Sequence, residues 1–163
     1  MENEIKLTYV QEKITRALLE LMKQYPFREI TVTQVVQHAK ISRASFYRNY
    51  RNNEEVLRYY MTILIKNWGT SFESAGDLDW AGSLLMHYYH HKEFYSLLYQ
   101  CNLSHNMLAI IRETIGVDAE SQNVAAYGKA WFAGGLFGWI EEWIRRGMQE
   151  TPEQLKALMK DMR

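Results

Sequence analysis

A chain with a single cysteine cannot close a disulfide on itself, so these 163 residues must hold together without a covalent staple. That cysteine, Cys101, has no flanking basic residue and no redox signature, which predicts a buried thiol in a reducing compartment. Proline is equally scarce, with Pro26 and Pro152 the two in the chain, so little interrupts helix formation. Long hydrophobic runs are missing as well. The longest uncharged apolar stretch, residues 130–140, falls well short of the ~20 residues a membrane-spanning helix needs. Residues 1–13 alternate charged and polar types without an apolar centre, so no secretory signal is expected and the chain is predicted to be soluble and cytoplasmic. Net charge is also absent, 19 basic side chains balancing 19 acidic ones.

What is present is unevenly placed. Residues 1–60 hold ten Lys/Arg against seven Asp/Glu, whereas residues 61–163 hold nine against twelve. Between 28 and 51 stand five basic residues and one acid, Glu29, a local excess suited to phosphate. Hydrophobic residues make up 47% of the chain and aromatics 13%, enough for a packed core and too much for a disordered chain.

The apolar spacing is helical throughout, and no window alternates with period two as a strand would. Val10, Ile14, Ala17, Leu18, Leu21 and Met22 form one stripe within 6–24, which Pro26 ends. Thr31 with Gln34 three residues on is a capping box opening a short helix to about Ala39. Ser42 caps the next, residues 43–49, and Asn52 with Glu55 starts a longer helix to about Glu73. A loop is expected over 74–77. Residues 79–101 read as one helix or as two broken near His90-His91. Further helices are expected over 104–115, closed by Gly116, over 120–147, and over 152–162 behind a Thr151-Pro152 cap. The fold expected is all-α, with a three-helix N-terminal domain over 1–50, a connecting helix over 51–73, and a helical second domain within 51–163.

Residues 30–50 carry the chemistry. Two short capped helices lie about three residues apart. The first turns Val32, Val35, Val36 and Ala39 inward, and the second has one clear inward anchor, Phe46. Tyr47 follows Phe46 directly, about 100° further round the helix, and so faces outward with Arg43, Ala44, Ser45 and Arg48. A short helix with a small, basic and aromatic outer face suits a DNA major groove.

This segment resembles the TetR/AcrR family of bacterial transcriptional regulators. The likeness is carried by Ile30-Thr31-Val32, Ala39-Lys40-Ile41-Ser42, Ser42-Arg43-Ala44-Ser45-Phe46-Tyr47-Arg48-Asn49-Tyr50 and Asn52-Asn53-Glu54-Glu55-Val56-Leu57, covering about residues 8–60. Lys40 departs from the glycine usual there and must adopt a left-handed backbone or alter the turn. Asn49 and Asn53 stand where histidine and lysine are common, and each keeps a donor for phosphate. The resemblance implies a regulator of transcription, a repressor released by a small-molecule effector, bound as a homodimer to palindromic double-stranded operator DNA. Thr31, Thr33, Ser42, Asn49, Tyr50 and Asn53 would meet phosphates, and Arg43, Ala44, Ser45, Tyr47 and Arg48 base edges. No cofactor is implied, and the protein would lie on the nucleoid. The alternatives are an activator controlled by a protein partner and a helical interaction module without DNA binding.

In relatives the later helices surround an effector pocket, which here would draw on Trp68, Phe72, Tyr88, Tyr95 and Tyr99; at helical spacing the same aromatics also fit a plain core. The family dimerises through its last two long helices. Gly128, Trp131, Gly135, Gly138 and Trp139 mark that face, because interior glycines cost ~1 kcal/mol each and suggest a close-approaching backbone. A groove within the chain is the competing reading. His87, His90 and His91 have helical metal-ligand spacing but lack the partners of a known site, and no nucleophile, base and orienter can be assembled. No metal and no enzymatic activity are expected.

Overall fold

The computed structural model describes residues 4–75, 79–116 and 123–161. Among them, nine α-helices and one 3-10 turn occur and no strand: α1 (Tyr9–Met22), the turn Phe27–Glu29, α2 (Val32–Ala39), α3 (Arg43–Asn49), α4 (Asn53–Ala75), α5 (Trp80–His90), α6 (Lys92–Gln100), α7 (His105–Ile115), α8 (Asn123–Arg145) and α9 (Pro152–Asp161). The chain divides into two compact units, Met1–Asp77 and Leu78–Arg163.

Caps explain most helix starts. Thr8 and Gln11 form a capping box on α1, and Thr31 and Gln34 form one on α2. The Ser42 hydroxyl accepts the Ser45 N–H at 3.0 Å, and Asn52 Oδ1 accepts the Glu55 N–H at 2.8 Å. Thr151 and Gln154 exchange backbone and side-chain bonds at the head of α9. The helix expected over 79–101 is two, broken at His91, which closes α5 and opens α6. Ser74 and Ala75, expected in a loop, extend α4, while residues 76 and 77 lie outside the described residues. The starts of α8 before Asn123 lie outside them too, and Gly147 falls beyond the end of that helix, at Arg145, with φ +80°.

In the first unit α1 packs on α2, α3 and α4, and α2 on α3. Ile14, Leu18, Val35, Phe46, Val56, Leu57 and Met61 fill the space between them and are almost fully buried. Across α1 and α2, Glu20 accepts from His38 at 2.7 Å and from Arg16 at 3.2 Å. The His38 bond, then the Arg16 bond, holds this exposed carboxylate below its ordinary pKa. Residue 5 is strapped to α4, the Asn67 side chain accepting the Ile5 N–H at 2.8 Å and donating to its carbonyl at 2.9 Å.

In the second unit α8 packs on α6 and α7, and α5 on α6 and α9. Its centre is Leu85, Tyr88, Tyr95, Leu98, Met107, Ile140 and Trp143. Lys156 of α9 pairs with Asp79, whose carboxylate also caps α5 at Gly82. No helix is long and apolar enough to cross a membrane among the described residues.

The turn between α2 and α3 keeps its usual form in spite of the missing glycine. Lys40 takes the left-handed conformation, φ 53° and ψ 49°, and the Lys40 and Ile41 N–H groups close on the carbonyls of Gln37 and Val36. A side chain costs about 1–2 kcal/mol in that region, whereas glycine adopts it freely and gives back part of the gain through the unfolded chain. Lys40→Gly is therefore expected to stabilise the protein by roughly 0.5–1 kcal/mol, a rise in melting temperature of a few degrees. Calorimetry of the two proteins checks this, and an unchanged or lower melting temperature contradicts it.

Candidate nucleic-acid interface

α3 has seven residues, too few to hold a helix in water by themselves. Phe46 supplies the attachment. Its ring is fully buried, contributing about 2–3 kcal/mol, and stands edge-on to Tyr47 with centroids 5.5 Å apart. Burying Phe46 turns Arg43, Ala44, Tyr47 and Arg48 outward, and all four are exposed, Tyr47 at 50%. Thr31, Thr33 and Ser42 are exposed as well, and Ser45 and Asn49 are half-buried.

Hydrogen bonds order this face. The Thr31 hydroxyl works within the α2 cap, accepting from the Gln34 N–H at 3.2 Å and donating to the Gln34 side-chain Oε1 at 2.8 Å. Ser42 and Ser45 hydroxyls lie 2.9 Å apart, and Arg48 Nη2 donates to Ser45 Oγ at 3.2 Å. Asn49 Nδ2 donates to the Ser45 carbonyl at 2.8 Å, which commits part of its amide. The Arg43 guanidinium lies over the Tyr47 ring, 5.8 Å from its centroid.

Two residues expected on phosphates are inside the protein. Tyr50 is 2% exposed, packed against Phe46 and Tyr59. Its hydroxyl faces that of Thr15, but neither oxygen has a well-aligned hydrogen-bond partner, and burial pushes the phenol up to about 12. Asn53 is 8% exposed and spends its amide on the Ile30 carbonyl at 2.7 Å, with its Oδ1 buried and unpartnered. Both are corrections to the sequence reading. Tyr50 closes α3 with an extended backbone, φ −144°, and Asn53 opens α4, so the helical spacing that starts at Phe46 does not carry through to either and their burial was not legible in it.

The five aromatics expected around an effector fall into two sets. Trp68 and Phe72, in the first unit, stack with centroids 5.9 Å apart. In the second, Tyr88 and Tyr95 are fully buried with centroids 4.3 Å apart, and Tyr99 is half-buried. These two tyrosines are core residues. His87 Nε2 lies 2.8 Å from the Tyr95 hydroxyl, and burial, with His91 beside it, lowers the histidine to about 3 and keeps it neutral. Among the described residues no cluster of three or more His, Cys, Asp or Glu is placed to hold a metal ion.

The glycine-rich face of α8 is open. A Cβ added to Gly128, Gly134, Gly135 or Gly138 would meet nothing within 4 Å among the described residues. Along the same helix Val124, Tyr127 and Trp131 are 87%, 75% and 81% exposed, and Trp139 is half-buried. Beside them a cleft of about 400 Å³ opens between α8 and α9, lined by Gly135, Gly138, Trp139, Leu155 and Leu158 among others.

An all-α chain that presents a short, anchored helix behind a capped partner helix is a helix-turn-helix DNA-binding protein. Residues 14–60 match the bacterial regulatory proteins of the tetR family, and residues 78–163 match the transcriptional regulator C-terminal region of such proteins. The chain belongs to the TetR family of transcriptional regulators; it is a regulator and not an enzyme. It is 35% identical over 54 residues to the HTH-type dhaKLM operon transcriptional activator DhaS of Lactococcus lactis subsp. lactis (strain IL1403), a match covering 33% of this chain and 29% of that protein. A solved structure of dihydroxyacetone kinase operon activator DhaS superposes with a TM-score of 0.60 at 20% identity, over 94% of this chain and 93% of the other, a likeness of fold.

With Tyr50 and Asn53 inside, their variants separate stability from DNA contact. Tyr50→Phe removes a buried hydroxyl without a well-placed partner, and is expected to keep full operator affinity with an equal or higher melting temperature. Asn53→Ala strands the Ile30 carbonyl and should lower stability by about 1–2 kcal/mol without changing the salt dependence of binding. A shallower salt slope in either variant would return that residue to the phosphate contacts.

Proposed function

We propose that this protein acts as a homodimer on a palindromic operator, each protomer laying α3 in the major groove. The observation that carries the reading is the outward face that buried Phe46 gives to Arg43, Ala44, Tyr47 and Arg48. Thr31, Thr33, Ser42, Asn49 and Arg48 then contact phosphates, while Arg43, Ala44, Ser45 and Tyr47 reach base edges. The site of action is the nucleoid in the cytoplasm. Arg48, expected among the base contacts, is assigned here to the phosphate set because it stands in the last turn of α3, away from the N-terminal end that meets bases.

Two modes of control fit this scaffold. The first is repression relieved by a small molecule bound to the second unit, which requires that molecule to prefer one of two states of the dimer. The second is activation. The name of the curated relative, an operon activator, favours it. Transcription from the bound promoter distinguishes them, rising on deletion of a repressor and falling on deletion of an activator.

Tyr47→Ala is expected to abolish sequence-specific binding while the protein stays folded. An exposed ring that touches DNA in both half-sites costs ~1–3 kcal/mol at each, so the loss approaches the usual gap between specific and non-specific binding. Titrations of the operator and a scrambled duplex, with melting temperature as control, measure it. Unchanged operator affinity would remove α3 as the reading head.

The dimer is supported by the open glycine face of α8 and its exposed aromatics, an apolar surface that a second copy would cover. Gly135→Leu fits the monomer, since nothing lies within 4 Å of the new Cβ, yet should weaken self-association by about 1–3 kcal/mol through overpacking. Sedimentation of both proteins reads this out. A wild-type monomer at micromolar concentration, or a variant that dimerises as tightly, contradicts the assignment.

A further inference from the structure

α3 carries two arginines, and the structure orients them differently. Arg48 lies in the last turn, and its Nη2 is drawn back to Ser45 Oγ at 3.2 Å. Arg43 is the first residue of the helix, exposed, with its guanidinium over the ring of Tyr47 one turn further on. In a helix-turn-helix the N-terminal residues of the second helix are those that meet base edges. Ala44, the next residue, is small and exposed, and leaves room for this end to enter deeply.

The charge of Arg43 also stands at the wrong end of its own helix. A cation at a helix N-terminus opposes the helix dipole, and the first turn of α3 holds no acidic residue to offset it. Its planar fork of N–H donors matches the O6 and N7 acceptors of guanine in a fixed geometry, whereas a lysine ammonium meets them as a flexible point charge. A free arginine loses much side-chain entropy when a base immobilises it. Stacking on Tyr47, itself set by its neighbour Phe46, removes part of that freedom before DNA arrives.

We propose that Arg43 selects a guanine in each half-site and that Tyr47 is the positioning residue that holds the Arg43 guanidinium for that contact. The assignment rests on α3 being the reading head, as proposed above, and goes further by naming the base and the pair of side chains that choose it. Tyr47 acts here through its ring, so Tyr47→Phe keeps the function and Tyr47→Leu does not.

The test begins with a pool of randomised DNA duplexes, selected with the wild-type chain and with Arg43→Ala, Arg43→Lys, Tyr47→Phe and Tyr47→Leu. Melting temperatures confirm that each variant is folded. Wild type and Tyr47→Phe are expected to enrich two symmetric half-sites with a guanine at one fixed position, a preference that Arg43→Ala and Arg43→Lys lose and Tyr47→Leu weakens. Replacing that guanine by 7-deazaguanine removes the N7 acceptor. It should weaken wild-type binding roughly tenfold or more, the range of a good bidentate contact, and leave Arg43→Ala unaffected. If Arg43→Ala still enriches the same guanine, or is as sensitive to 7-deazaguanine as wild type, the assignment of Arg43 is overturned while the reading head stands. If Tyr47→Leu matches wild type in both measurements, the positioning role of Tyr47 is overturned. A wild-type pool with no enriched sequence overturns the reading head and Arg43 with it.

Discussion

The burial of Phe46 is the contact on which the DNA-reading surface depends. A helix of seven residues has too few internal hydrogen bonds to persist alone, so its position and rotation come from what it buries. One fully enclosed ring sets both. Side chains on the opposite side of α3 then point outward together, and the caps at Ser42 and Thr31 fix where α3 and α2 begin. Tyr50, at the end of α3, and Asn53, at the start of α4, both lie under the surface they were expected to join. Anchor and reading face are two sides of one short helix.

That arrangement leaves polar atoms in an apolar place. Thr15, Tyr50 and Asn53 each keep a buried oxygen without a well-aligned partner, against one good bond from Asn53 to the Ile30 carbonyl. Such atoms are costly, and their concentration beneath α3 shows how much of this small core is committed to holding a reading helix. Lys40 adds a strained backbone at the turn that sets the angle between α2 and α3. The second unit is apolar at its centre by comparison, with Tyr88 and Tyr95 ring against ring and His87 held neutral beside them.

The glycines of α8 show the same economy on a different surface. Among the described residues nothing meets a Cβ placed on them, and Tyr127 and Trp131 beside them stay in solvent. Interior glycines weaken a helix, so a helix that holds four of them on open surface gains nothing from them within its own fold. Their value lies in the close approach of another surface, consistent with the dimer proposed here.

Much of the architecture was legible in the residues. The capping box at Thr31, the Thr151-Pro152 cap, the Ser42 cap, the stop at Gly116 and the inward Phe46 are all local signals, carried by neighbours within one helical turn. Local chemistry of that kind does not depend on the rest of the chain. The break at His91 was visible only as an ambiguity, because helical periodicity runs across it. Burial was harder to read, since whether a polar residue ends inside depends on what packs over it. Asn49 and Asn53 look alike as asparagines after α3, yet one is half-exposed and the other closed over, with its amide on a carbonyl 23 residues earlier. Tyr47 and Tyr50 are the same residue type three positions apart, one 50% exposed and the other 2%. The sequence by itself determined the helices, their caps and the anchor. Which side chains remain for DNA was decided by what α3 packs against, α1 and α2, and a contact between separate elements is not encoded in the local pattern of one helix.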